Sequence, residues 1–173
     1  ALRAAETVRR NEPENTQANT DRALVWTQIG LWHEDTEQWP KAVEAHRKAV
    51  AIVEQVERRN PSSVEFRKML ARHRQRLGAT LAELPDYDAS LKEMRAALAE
   101  TERLAAADPS DRLLIITQLE AWRDIGEVER LAGRPERSIE PNRKAARMLE
   151  ELIQGDPANG NLPNHLSPIY QQL

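Results

Sequence analysis

The chain has 173 residues, 31% of them charged and 4% aromatic, and its 25 basic and 28 acidic side chains leave a formal net charge of −3 and a pI near 5.9. This balance excludes the strongly basic footprint of a nucleic-acid binder, and a composition rich in Ala, Leu, Glu and Arg argues for an all-α fold and against a β-sandwich. There is no cysteine for a disulfide or a thiolate metal site, which fits a reducing, cytoplasmic setting, and there is no apolar run of membrane-spanning length and no signal-peptide core.

The elements recur along the chain. Pro13, Pro61, Pro109 and Pro157 stand 48 residues apart, each after Glu, Asn or Asp. Gly30, Gly78 and Gly126 keep the same step behind Ile29, Leu77 and Ile125, and Ala42, Ser90 and Ser138 follow twelve residues later. Val43, Leu91 and Ile139 come next, then Ala49, Ala97 and Ala145, then Val56, Leu104 and Leu152. So many coincident columns define an internal repeat. In chain order, residues 1–11 read as the end of a preceding repeat and 12–59, 60–107 and 108–155 as three full repeats. Residues 156–173 read as the first helix of a following or capping repeat, so that 1–173 is a single helical repeat domain, a piece of a longer array.

Each repeat divides into two helices. In the second, Phe66, Leu70, Leu77, Leu81 and Leu84 recur at intervals of three, four or seven, and Leu91, Met94, Leu98, Thr101 and Leu104 do so after a break. That is the period of an amphipathic helix on both sides of a turn. The turns are written LPDYD and AGRPE, and Pro40 suits the first turn of the helix that follows it. Asn60, Asp108 and Asp156 are read as N-caps with Pro61, Pro109 and Pro157 at the first helical position. Pro141, close behind Pro135, moves the expected start of its helix to Ser138–Glu140, and Pro163 and Pro168 weaken the last helix, since an interior proline costs about 3 kcal/mol.

A helix pair of fixed length cannot bury its apolar face alone, so neighbours must stack. Trp26-x-x-Ile29-Gly30 and Trp122-x-x-Ile125-Gly126, with Ala42 and Ser138 twelve residues on, resemble the W-x-x-L-G and A-x-x-x-F pattern of the tetratricopeptide repeat. The period is 48 rather than that family's usual 34, similar to long bacterial repeats that lie beside Ser/Thr kinase or other signalling domains. Departures are Arg74 in the tryptophan column, His33, Leu81 and Glu129 in the tyrosine column, and His46, Met94 and Asn142 in the phenylalanine column. The resemblance implies a right-handed α-solenoid of antiparallel helix pairs, with three full repeats and a half repeat at each end. It also implies a noncatalytic protein-protein interaction module, the regulatory or scaffolding part of a larger bacterial signalling protein.

In that family the first helix of each pair lines the concave groove. Carried over by column, the groove holds Thr27, Gln28 and Leu31, then Arg72, Gln75, Arg76 and Ala79, then Arg123, Asp124 and Glu127. Its arginines suit an acidic peptide, because guanidinium forks pair bidentately with carboxylates. The same arginines can instead pair with Glu120, Asp124 or Glu127 and stiffen the stack. A chaperone-tail clamp is not supported, since Thr27 and Leu31 occupy the columns that need Lys and Asn.

No motif carries catalysis. HEDTEQW, His33–Trp39, lacks the second histidine of HExxH, and its charges suit a solvated helix end. His46, His73 and His165 are isolated in sequence, and no Walker loop or G-x-S-x-G occurs. The chain is therefore read as a non-enzyme with no cofactor or metal, taking a protein or peptide partner, not nucleic acid or membrane. Self-association through exposed repeat ends and small-molecule sensing are the alternatives. Trp26 and Trp122 are expected to pack within their own repeats and Trp39 to staple a turn. Glu54 with Arg58 and Glu127 with Arg130 read as solvated helix pairs.

Overall fold

The computed structural model describes residues 16–155, and among these every regular element is an α-helix. The helices are α1 Thr16–Asp35, α2 Trp39–Arg59, α3 Val64–Ala82, α4 Tyr87–Ala107, α5 Arg112–Leu131 and α6 Pro135–Gly155. The second helix of each pair starts at Trp39, Tyr87 and Pro135, and α3 and α5 start at Val64 and Arg112, so all these starts keep the 48-residue step. The chain divides into two compact units, Ala1–Glu100 and Thr101–Leu173, with the division inside α4. In the first, α1 packs on α2 and α2 on α3; in the second, α5 packs on α6.

The turn inside each repeat is a helix C-cap. Glu37 has φ 54 and Gly133 φ 72, the left-handed conformation that ends a helix. Behind them Gln38 N–H donates to the His33 carbonyl (2.8 Å) and Arg134 N–H to that of Glu129 (2.9 Å). Each pair is joined by the same few residues because these bonds satisfy carbonyls the helix leaves open.

The turn between repeats corrects the expected N-caps. Asn60 closes α2, its side-chain amide donating to the Val56 carbonyl at 2.9 Å, and does not open α3. Pro61 and Pro109 sit second in the four-residue turns Asn60–Ser63 and Asp108–Asp111, closed by Ser63 N–H to Asn60 O (2.9 Å) and Asp111 N–H to Asp108 O (3.2 Å). Proline is favoured there because its fixed φ matches the turn. The caps are Ser63, accepting from Phe66 N–H, and Asp111, accepting from the N–H groups of Leu113 and Leu114. Asp156, Pro157, Pro163 and Pro168 lie outside the described residues, as do residues 1–11 and Pro13.

Pro40 falls in the first turn of α2, where a missing N–H is harmless. Pro141 does not delay α6: the helix starts at Pro135 and runs through it. Pro141 is itself buried, so packing holds the turn that local propensity disfavours.

The cores are built from small and branched residues. In the first unit Val43, Val50, Leu77 and Leu81 form one cluster, and Ala23, Ile52 and Val53, with Trp26 and Met69 against them, form another. Leu119, Ala145, Ala146, Leu149 and Leu152 fill the second unit between α5 and α6. The alanine column is buried at Ala49, Ala97 and Ala145, as are the small residues Ala42, Ser90 and Ser138.

Each repeat glycine marks a helix crossing. A methyl group on Gly30 would collide with the His46 ring, and one on Gly126 with the Asn142 amide. One on Gly78 would lie 2.6 Å from Met94 Cγ and 3.1 Å from the Ser90 carbonyl, while Ser90 Oγ donates to the Gly78 carbonyl at 2.7 Å. The glycine therefore admits the side chain sixteen residues on, and the small residue twelve on lets the backbones meet. Because Met94 can swing and the His46 ring cannot, Gly30→Ala should destabilise the chain by about 1–3 kcal/mol. Gly78→Ala should destabilise less, by about 1 kcal/mol: the Ser90 carbonyl at 3.1 Å cannot move aside, although alanine's helix propensity offsets part of the strain. Urea denaturation of both variants, followed by far-UV circular dichroism, checks that order.

Candidate functional site

The room left by Gly30 sets the chemistry of the first unit. His46 is buried there, and its Nε2–H donates to Glu34 Oε1 at 3.0 Å, a carboxylate being able only to accept. The hydroxyl of Thr80, on α3, donates to the same oxygen at 2.6 Å, and Arg76 Nη1 stands 3.4 Å from Glu34 Oε2. One carboxylate of α1 thus ties α2 and α3 to it. Burial holds the His46 imidazole below its ordinary pKa, opposed in part by the Glu34 charge beside it.

Two turns earlier on α1, Thr27 Oγ1 donates to the Ala23 carbonyl at 3.0 Å and lies 3.3 Å from Nδ1 of His73 on α3. With Nδ1 protonated the ring donates to Thr27, and with Nδ1 bare it accepts from the hydroxyl; in both tautomers Thr27 offers the ring a hydroxyl and no charge. Burial first, then the charges of Arg72 and His46, lower the His73 pKa to about 4.

The arginines sort by how tightly the chain holds them. Arg67 with Glu100, and Arg74 with Glu54 at 2.7 Å, are partly buried pairs between helices. Glu54 was expected to serve Arg58 on its own helix, but that contact is the longer one, at 3.9 Å. Arg74, in the tryptophan column, replaces aromatic packing with this link to α2. Arg123 folds onto its neighbour Asp124, with Nε at 3.0 Å and Nη2 at 2.7 Å from one oxygen. Arg130 grips Glu127 with both arms, which holds the Glu127 carboxyl below its usual range. Arg72 and Arg76 are held loosely: Arg72 stands 3.5 Å from Glu65 with both side chains about two-thirds exposed, and the Arg76 side chain is half exposed.

The ten groove candidates fall on three helices. On α1, Gln28 is exposed and Thr27 and Leu31 half-buried; on α3, Arg72, Arg76 and Ala79 are exposed and Gln75 half-buried. These belong to the first unit, where the Thr27–His73 and Glu34–Arg76 contacts bring α1 and α3 together. Arg123, Asp124 and Glu127 lie half-buried on α5 in the second unit.

Sequence reasoning missed Trp32 and Leu24, which are 58% and 51% exposed. Spaced four and eight residues along α1, Leu24, Gln28 and Trp32 share one face of the helix. The signal was a tryptophan whose repeat counterparts, Thr80 and Val128, are small and buried. Trp26 and Trp122 pack in the cores of their own units, with Lys48 and Lys144 over their rings at 4.2 and 4.1 Å. Among the described residues no group of His, Asp and Glu is arranged to hold a metal ion, and no helix is long and apolar enough to cross a membrane. His165 lies outside them.

No protein-family model matches the chain, and no curated protein matches it. Thirteen chains among solved structures do. One of them, titled "Crystal structure of MamA", is 15% identical over 88% of this chain and 89% of its own, with a TM-score of 0.34.

Glu34 is the residue on which the first unit's polar contacts converge. Glu34→Ala leaves the buried His46 N–H without an acceptor, while the Thr80 hydroxyl keeps the Arg76 carbonyl at 2.9 Å, and should cost about 1–3 kcal/mol. Glu34→Gln, which keeps one acceptor oxygen, should cost less than half of that. Urea midpoints of the two variants at neutral pH decide it.

Proposed function

We propose that the chain is a noncatalytic protein-protein interaction module of tetratricopeptide type, a right-handed α-solenoid of three 48-residue repeats with a half repeat at each end. On this reading residues 1–173 form a single cytoplasmic domain, the regulatory or scaffolding part of a larger bacterial signalling protein. The helix starts at a constant step support the repeat, and the glycine crossings support the antiparallel pairing.

The observation that carries the binding surface is the state of Arg72 and Arg76. They stand one turn apart on α3, exposed, each with a single long ion pair. Exposed pairs of this kind contribute about 0–1 kcal/mol, so an incoming carboxylate displaces them at little cost. Leu24 and Trp32 on α1 add exposed apolar anchors, and Trp and Arg are the side chains that most often dominate binding energy. The partner is therefore read as an acidic segment carrying an apolar residue. Thr27, Gln28, Leu31, Gln75 and Ala79 complete the surface on α1 and α3. Arg123, Asp124 and Glu127 would serve the same role on α5, with Arg123 the least available because Asp124 holds it.

Self-association is the second reading, favoured by Ile139. That side chain is 50% exposed, whereas Val43 and Leu91 in its column are buried. An apolar column left open on α6 is what docking of another copy would use.

Selection of random displayed peptides on the chain tests the first reading. Acidic peptides with an apolar residue should be enriched, and Arg72→Ala with Arg76→Ala should weaken the best of them by at least about tenfold, which is ~1.4 kcal/mol, with melting unchanged. Trp32→Ala should weaken them by a similar factor. Enrichment of basic or uncharged peptides, or binding indifferent to all three substitutions, would sink the surface.

A further inference from the structure

The first unit contains a buried histidine that the binding surface does not use. His73 belongs to α3, is 9% exposed, and faces α1 through Thr27, which offers it a hydroxyl oxygen and no charge. The charges acting on it are both repulsive to a proton: Arg72 from its own helix, and His46 from α2 when that ring is protonated. His46 differs in one respect, because it has the Glu34 carboxylate at 3.0 Å. Two buried imidazoles therefore sit at one three-helix junction, and among the described residues only His46 has an anion to receive it as a cation.

We propose that His73 is a proton-operated wedge between α1 and α3. Proton uptake from solvent at the bare ring nitrogen turns the ring into an imidazolium buried beside Arg72, with no counter-charge among the described residues. The junction relieves this by letting α3 part from α1, which carries away the Thr80 and Arg76 contacts to Glu34. The α1–α2 hairpin opens less readily, because the Glu34 carboxylate beside His46 offsets part of the burial that disfavours its cation, and His73 has no such offset. The sign follows from linkage: the packed state requires neutral His73, whose pKa there is lowered to about 4, against about 6.5 when the ring is exposed. The hold of α1 on α3 is therefore full above about pH 6.5 and is lost as the pH falls from there towards about 4. Since Arg76 belongs to this contact, acid would also rearrange the proposed binding surface. That consequence rests on the preceding reading, whereas the wedge itself does not.

The test is made on the chain without any partner. Imidazole 1H–13C spectra and amide hydrogen exchange are recorded from about pH 7.5 to about pH 4, and exchange is corrected for its intrinsic pH dependence. The expected result is a His73 ring that stays neutral well below pH 6.5, with opening of α3 amides rising about tenfold per pH unit below it and α1–α2 amides responding less steeply. In His73→Gln, whose amide can still donate to Thr27 but does not titrate, that slope should become clearly shallower, leaving only the part that His46 supplies. A His73 ring titrating at the ordinary imidazole value, α3 opening with no slope in pH, or the same slope in His73→Gln would each overturn the proposal. If the variant does not fold, the wild-type titration and slope decide alone.

Discussion

The close crossing of paired helices at a repeat glycine is the constraint on which the remaining structure depends. Without a Cβ at Gly30, Gly78 or Gly126, the second helix of the pair can insert the side chain sixteen residues on into the body of the first. Interiors are packed too densely to admit both groups, so the glycine is fixed and the inserted residue varies. Met94 makes that crossing apolar and pliable. His46 makes it polar, and a buried N–H must find an acceptor. Glu34 supplies one, and with it come Thr80 and Arg76 from α3. The chemistry of the first unit is thus a consequence of one vacant Cβ position.

That hierarchy decides how much could be read before any coordinates. The columns of Gly, Ala and branched residues were legible because each repeats a packing requirement, and the helix starts at Trp39, Tyr87 and Pro135 follow them. Pro61 and Pro109 were legible as punctuation but misplaced by three residues. A proline at the first helical position and one at the second position of a turn demand the same φ, and only Ser63 and Asp111 downstream tell them apart. Pro141 misled for the opposite reason: propensity disfavours it, and burial of α6 overrides propensity. The Glu34–Thr80 and Thr27–His73 contacts were invisible, since both join residues 46 apart, off the repeat step, through side chains no column shares.

The arginines show why charge counting gives a poor view of a surface. Arg67, Arg74, Arg123 and Arg130 are committed to carboxylates by short contacts. For Arg67, Arg74 and Arg123, whose pairs are partly buried, breaking the contact leaves an uncompensated charge, so these three are costly to recruit; the Arg130–Glu127 pair is exposed and is not. Arg72 and Arg76 differ from all four in the length of their contacts, and from Arg67, Arg74 and Arg123 in exposure, not in residue type. Internal bracing thus falls to Arg67, Arg74 and Arg123, and the proposed recognition surface is left with the arginines the chain holds least.

Arg76 stands where the two proposals meet. Its contact with Glu34 is the weakest of the three that carboxylate makes, the others being the imidazole at 3.0 Å and the hydroxyl at 2.6 Å. A partner that draws Arg76 away removes a cation from the neighbourhood of both Glu34 and His46. The Arg76 charge is the smallest of the influences on the His46 pKa, behind burial and Glu34, so on the proposed reading its departure would favour the protonated ring slightly, and binding would be accompanied by a small proton uptake at His46. Reciprocity requires that protonation of His46 favour binding by the same factor. Protonation of His73 works against it, by parting α3 from α1. Opposed responses from two histidines at one junction would give recruitment a maximum along the pH axis. The difference between them comes down to which ring has Glu34 within reach.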